Sequence, residues 1–87
     1  MRAVVTVVGR DMVGILANVS AVCAESNANI IEVTQSVLAE FFCMVMLIDA
    51  TAMTIDLVDL ADRMRARADG MEIHVMHEDI FNSMHRV

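Results

Sequence analysis

No proline occurs anywhere in the 87 residues, so nothing in the chain marks a linker between domains. Tryptophan and tyrosine are absent and only three phenylalanines occur, against nine methionines. The core they predict is aliphatic and thioether in character rather than aromatic. Six basic residues face twelve acidic ones, for a formal net charge of −6. Proteins that hold nucleic acid or anionic membranes neutralise phosphate with Lys and Arg, so this balance argues against both partners. No apolar run approaches the roughly 18–20 residues that cross a bilayer, and the longest spans only Phe41 to Ile48. The N-terminus alternates like a strand and shows no small-residue cleavage site after a long apolar region, so no signal peptide is expected. Cys23 and Cys43 lie in apolar surroundings without a CxxC spacing. Buried free thiols in a cytoplasmic protein are the expectation, with no redox or zinc motif.

What the chain does have is apolar surface. It is 57% hydrophobic with positive mean hydropathy, more than one 87-residue domain readily encloses. Self-association is the expected outlet, as a homodimer or a larger even oligomer.

Hydrophobic periodicity places the elements. Residues 2–8 are β-branched and apolar on both faces, as in a central strand. Ile15, Leu16, Val19, Val22 and Cys23 form one helical stripe, closed by Asn27-Ala28-Asn29. From Ile30 to Leu38, Ile31, Val33, Gln35 and Val37 share one face and Glu32, Thr34 and Ser36 the other, which fits an edge strand. Ala39-Glu40 is a tight connection to an apolar third strand, Phe41 to Ile48, so these two strands run antiparallel. Thr54 reads as the N-cap of a second helix whose stripe is Leu57, Leu60, Ala61, Met64 and Ala68. Asp59 and Arg63 are i, i+4 neighbours on its outside, and Gly70 stops it. Met71 to Met76 is the last strand, and the tail His77 to Val87 is expected to dock back as a short amphipathic turn or helix.

The order β-α-β-β-α-β with right-handed crossovers specifies an α+β, ferredoxin-like fold: a four-stranded antiparallel sheet with two helices on one face. The first and third strands are central in that arrangement. Val4, Val8, Met44 and Met46 are the candidates for an apolar centre on the uncovered face, rimmed by Thr34, Ser36, Glu72 and His74. An apolar centre with a polar rim is the anatomy of an association surface.

The chemistry concentrates where the first strand gives way to the first helix. Asp11 is placed to cap that helix, and Gly14 falls in its first turn. Gly14 either lets the helix pack closely on the sheet or keeps the backbone open for an anion at a helix N-terminus, and the residues leave both readings open. Gly9-Arg10 and Gly14-Ile15 superficially resemble the phosphate loop of acylphosphatases, which share this element order, but the spacing differs and no basic residue occurs between Arg10 and Arg63. RNA-recognition modules of this shape need aromatics on the central strands, whereas Phe41 and Phe42 are adjacent and point to opposite faces. His74 and His77 likewise face opposite ways on a strand, and His77 with His85 gives only a weak metal constellation. No Ser or Cys has a base partner at a readable spacing. The expectation is a protein that is not an enzyme and uses no cofactor or metal.

The run Val7-Val8-Gly9-Arg10-Asp11-Met12-Val13-Gly14-Ile15-Leu16, followed by Val19, Val22 and Asn29-Ile30-Ile31, resembles an ACT domain over essentially the whole chain, residues 1–87. Most ACT domains have a similar Asp-x-x-Gly-Ile loop after the first strand and Asn-Ile at the start of the second. Many amino-acid-binding members carry Pro before the loop glycine, where this chain has Val13. The ending Ile80-Phe81-Asn82-Ser83-Met84 looks like that of stand-alone bacterial and archaeal ACT proteins of unassigned role, and the glycine cleavage system repressor carries related domains in tandem. The resemblance implies a regulatory module that binds a small ligand, an amino acid or related metabolite, at a dimer interface and passes its output to a separate protein. By position, it implies a site at Asp11, Met12, Val13, Gly14 and Ile15 with Asn29, Ile30 and Ile31, and Arg10 as a carboxylate partner. The alternative is a module whose whole role is dimerisation, with no ligand.

Overall fold

Every residue of a central strand must point to one sheet face or the other, and the register settles which. The computed structural model describes residues 1–10 and 13–84. Within it, β1 (Arg2–Gly9), α1 (Ile15–Glu25), β2 (Asn29–Leu38), β3 (Phe41–Asp49), α2 (Leu57–Arg67), β4 (Glu72–His77) and α3 (Glu78–Met84) follow in order. The strands form one antiparallel sheet in the order β2-β3-β1-β4, the ferredoxin-like arrangement that the element order specifies.

Val5 pairs with Met46 and Val75, and Val7 pairs with Met44 and Ile73. These side chains enter the core with Ile15, Val19 and Val22 of α1 and Leu60 and Met64 of α2. Met44 and Met46 therefore face the helices and are fully buried, not on the uncovered face. The outward residues of β3 are Cys43, Val45 and Leu47, paired with Val8, Thr6 and Val4 of β1. Leu16 leaves the expected helical stripe as well, being exposed beside the buried Ile15.

In β2, Ile30 pairs with Ile48 but Glu32 pairs with Leu47, so Ile31 is the extra residue of a β-bulge. The bulge resets the alternation, and Ile30 rather than Ile31 joins Val33 against the core. The two-residue connection to β3 holds Ala39 at φ 55°, a left-handed conformation that a Cβ disfavours. Asp56, not Thr54, caps α2, its carboxylate accepting from the Asp59 N–H at 2.8 Å. Thr54 instead donates its N–H to the Ser26 carbonyl at 3.1 Å. The ion pair that forms on α2 is Asp62–Arg65, and Arg65 also donates to the Ile73 carbonyl, tying the helix to β4.

The segment after β4 turns at once into α3 and packs on β1 and β4. Arg2 donates from Nε to the Glu78 carboxylate at 2.9 Å, and Phe81 borders a hollow with Val4, Val45 and Leu47. Coverage decides exposure here: Val4 is 4% exposed, whereas Val8, two outward positions along β1, is 41% exposed.

Cys23 is buried in the core with its Sγ 4.0 Å from Met46 Sδ, and Cys43 is half-buried on the opposite sheet face. Both thiols are free, and the sheet separates them. Only the Cys23 half of the buried-thiol expectation holds.

Leu60 carries the α2 side of the core, so Leu60→Ala should lower unfolding free energy by about 2–5 kcal/mol in urea titration. The same change at Leu38, on the exposed end of β2, should stay within about 0.5 kcal/mol. Burial raises the Cys23 thiol from 9.0 to about 11. The unfolded chain then releases this proton first, so stability is full below pH 9 and falls as pH climbs towards 11. Denaturation over that range should show a smaller loss in Cys23→Ala than in the parent chain.

Candidate functional site

Four-stranded sheets of this order bring β1's C-terminal end and β4's start to the same edge. Here the two connections at that edge, β1 to α1 and α2 to β4, enclose a cleft of about 570 Å³. Its apolar wall is Val8, Val13, Ile15, Phe41 and Met71, and its polar groups are Arg10, Asn18, Arg67, Asp69 and Glu72.

Gly14 is the residue that turns the chain into α1. It is the N-cap, at φ 75° and ψ 0°, and provides no side-chain cap. The expected position of Gly14 inside the first turn is thereby corrected: it precedes the helix, and its carbonyl accepts the first helical bond, from the Asn18 N–H at 2.9 Å. The cap expected at Asp11 falls, with Met12, outside the described residues. Among the described residues, a Cβ on Gly14 would meet only Asn18 Nδ2, at 3.9 Å, so close packing is not what these residues require of it. The backbone conformation is what excludes a side chain. An α-helix leaves its first N–H groups without intrahelical acceptors, and this one presents them beside the cleft with no side chain from the cap over them.

Gly9 serves the cleft differently. A Cβ on it would stand 1.8 Å from Met71 Sδ, so the thioether lies directly on bare backbone and forms the floor between the two connections. Arg10 reaches over the Phe41 ring, 5.5 Å from its centroid, with Glu40 3.9 Å away. Both partners of that pair are well exposed, so the contact is weak and the guanidinium is available. Arg67 is held more firmly, 2.7 Å from Glu25, while its carbonyl accepts from Asn18 Nδ2 at 3.3 Å.

Of the residues expected from sequence, Arg10, Val13 and Ile15 line the cleft and Gly14 shapes its rim. Asn29, Ile30 and Ile31 do not join them within one chain. They begin β2 beside Asp49, at the other end of the sheet, about 23 Å away by strand rise. Sequence reasoning missed Asn18, Phe41 and the segment Arg67–Glu72. Their signal was topological: a chain that returns through α2 into β4 must make that turn beside the end of β1. Among the described residues, no group of three His, Cys, Asp or Glu gathers as a metal site. His74 Nε2 lies 3.0 Å from Glu72, and His77 Nδ1 accepts from the Asp79 N–H, whereas His85 lies outside the described residues.

The sequence pattern of the ACT domain matches residues 2–77. A UPF0237 protein of Clostridium perfringens is 43% identical over 89 residues, covering all of both chains. One from Methanopyrus kandleri is also 43% identical, over 99% of this chain and 98% of its own. Among solved structures, an ACT domain protein from Streptococcus pneumoniae superposes with a TM-score of 0.78 at 34% identity, covering 93% of each chain.

The left-handed cap makes Gly14 a position with a definite sign. Gly14→Ala should destabilise by about 1–2 kcal/mol, because the methyl has room but the backbone does not. Gly14→Asn should lose less, since Asn tolerates this conformation. Paired urea titrations check the order, and an Ala variant more stable than the parent would contradict it.

Proposed function

The chain belongs to the ACT domain family, and from that premise we propose that it is a regulatory module that binds a free amino acid in the cleft between the β1–α1 and α2–β4 connections. The observation that carries this reading is the pairing, in one cleft, of a helix N-terminus whose cap residue is a glycine and a loosely held Arg10 with an apolar wall. An α-carboxylate matches the first N–H groups of α1 and the Arg10 guanidinium, both of which favour an anion. An α-ammonium matches Asp69 on the facing connection or Glu72 at the start of β4. The remaining side chain then packs on Val8, Phe41 and Met71, which favours an apolar one.

The described lining residues offer charges, an amide and an apolar wall but no Ser, Thr, Cys or His nucleophile or base, which favours a binding reading. A ligand seated there joins the start of α1 to the end of α2, so its binding energy stiffens two elements that otherwise meet only through side chains such as Asn18. Self-association belongs to this reading, with residues such as Asn29, Ile30 and Ile31 of a second copy free to complete the site. The output passes to a separate cytoplasmic protein. No helix among the described residues is long and apolar enough to cross a membrane.

Thermal shift and calorimetry against the free amino acids test the reading. A ligand at 100 times its dissociation constant should stabilise by about 2.7 kcal/mol. Apolar side chains should outperform charged ones. Arg10→Ala should weaken the best ligand by about 1.5–3 kcal/mol through the lost charged hydrogen bond while leaving unliganded melting unchanged. No stabilisation by any amino acid at millimolar concentration would leave dimerisation as the module's role.

A further inference from the structure

The sheet face opposite α1 and α2 is covered only in part, and the piece that covers it is itself unfinished. α3 sets a half-buried Phe81 beside Val4 and anchors Glu78 on Arg2. Ile80 and Met84, one helical turn apart, remain 55% and 60% exposed on its outer side. Beside Phe81 the sheet forms a groove of about 250 Å³ floored by Val45 and Leu47 and bounded on the β2 side by Glu32. Among the described residues the molecule thus carries, side by side, an exposed apolar ridge and a groove with an apolar floor, rimmed by Arg2, Glu32, Glu78 and Asn82.

We propose that this face is where two copies of the chain associate, the Ile80–Met84 ridge of each copy seating in the Val45–Leu47 groove of the other. A ridge and a groove adjacent on one surface are brought together twice by a single two-fold axis, the isologous arrangement of a closed dimer. The molecule measures 36 × 34 × 19 Å, a flat slab whose broad side includes this face. That side is wide enough for the roughly 600–800 Å² per partner that a stable interface buries. Edge pairing through β2 is the competing geometry, and it would leave both ridge and groove in water. Each copy carries a net charge of −6, so association should tighten as salt screens the repulsion. The inference rests on the self-association included in the proposed function and adds the surface that makes it.

Sedimentation equilibrium on the full chain, with three variants, tests it. The parent should be a dimer, and Ile80→Glu with Met84→Glu should weaken that dimer by at least about 100-fold with an unchanged circular dichroism spectrum. Met84→Lys alone gives the same readout if the double variant melts early. Val37→Lys, exposed on the β2 edge, should remain dimeric. A dimer insensitive to the α3 changes but abolished by Val37→Lys would overturn the proposed surface in favour of edge pairing. A parent chain that is a folded monomer at high micromolar concentration would overturn self-association itself.

Discussion

Of the three helices among the described residues, only the two eleven-residue ones, α1 and α2, are long enough to cover much of a four-stranded sheet, and both lie on one face. Everything else in the molecule follows from that shortage. The alternating positions of β1 and β3 divide into Val5, Val7, Met44 and Met46 beneath the helices and Val4, Thr6, Val8, Cys43, Val45 and Leu47 away from them. The first set makes the core. The second set is nearly as apolar, and a seven-residue helix shields only part of it. A face left in this condition is a standing hydrophobic load, reduced only by a further layer.

The same topology builds the cleft. With β1 central, its exit lies between the start of α1 and the end of α2, and both connections must bend there without side chains in the way. Gly14 supplies a left-handed turn and Gly9 supplies a flat stretch of backbone. The helix end, Arg10 and the apolar wall then converge because the chain has no other route between its layers. In the proposed reading, recognition there would rest on backbone N–H groups, whose chemistry is the same for every residue type that the conformation admits.

The sequence speaks clearly about layers and poorly about phase. β-branched and apolar runs at 2–8 and 41–48 identify two central strands because only a central strand is surrounded on all sides. Which residue faces which way is silent in those runs, since an alternation of apolar with apolar has no contrast. Met44 and Met46, expected on the uncovered face, are placed beneath the helices by their pairing with Val7 and Val5. In β2 the contrast exists, but the bulge at Ile31 shifts it by one residue, and two adjacent isoleucines conceal the shift. At the helix start, Gly14 takes the N-cap position, a choice that depends on a dihedral angle rather than on a hydrogen-bonding group. The Arg10 to Ile15 side of the cleft was legible because strand, glycine and helix are contiguous in the chain. The Arg67 to Glu72 side is about 55 residues away and becomes visible only once the strands are ordered.

The contact between Gly9 and Met71 joins those two sides, and it has a bearing on how the sequence can drift. The sulfur of Met71 occupies the space that any Cβ at position 9 would need. The two positions therefore share one volume, although 62 residues separate them. Ala at position 9 would push the flexible Met71 thioether off the cleft floor, whereas a shorter side chain at 71 would leave room for it. The two sites should therefore co-vary across descendants of this chain as a single steric unit.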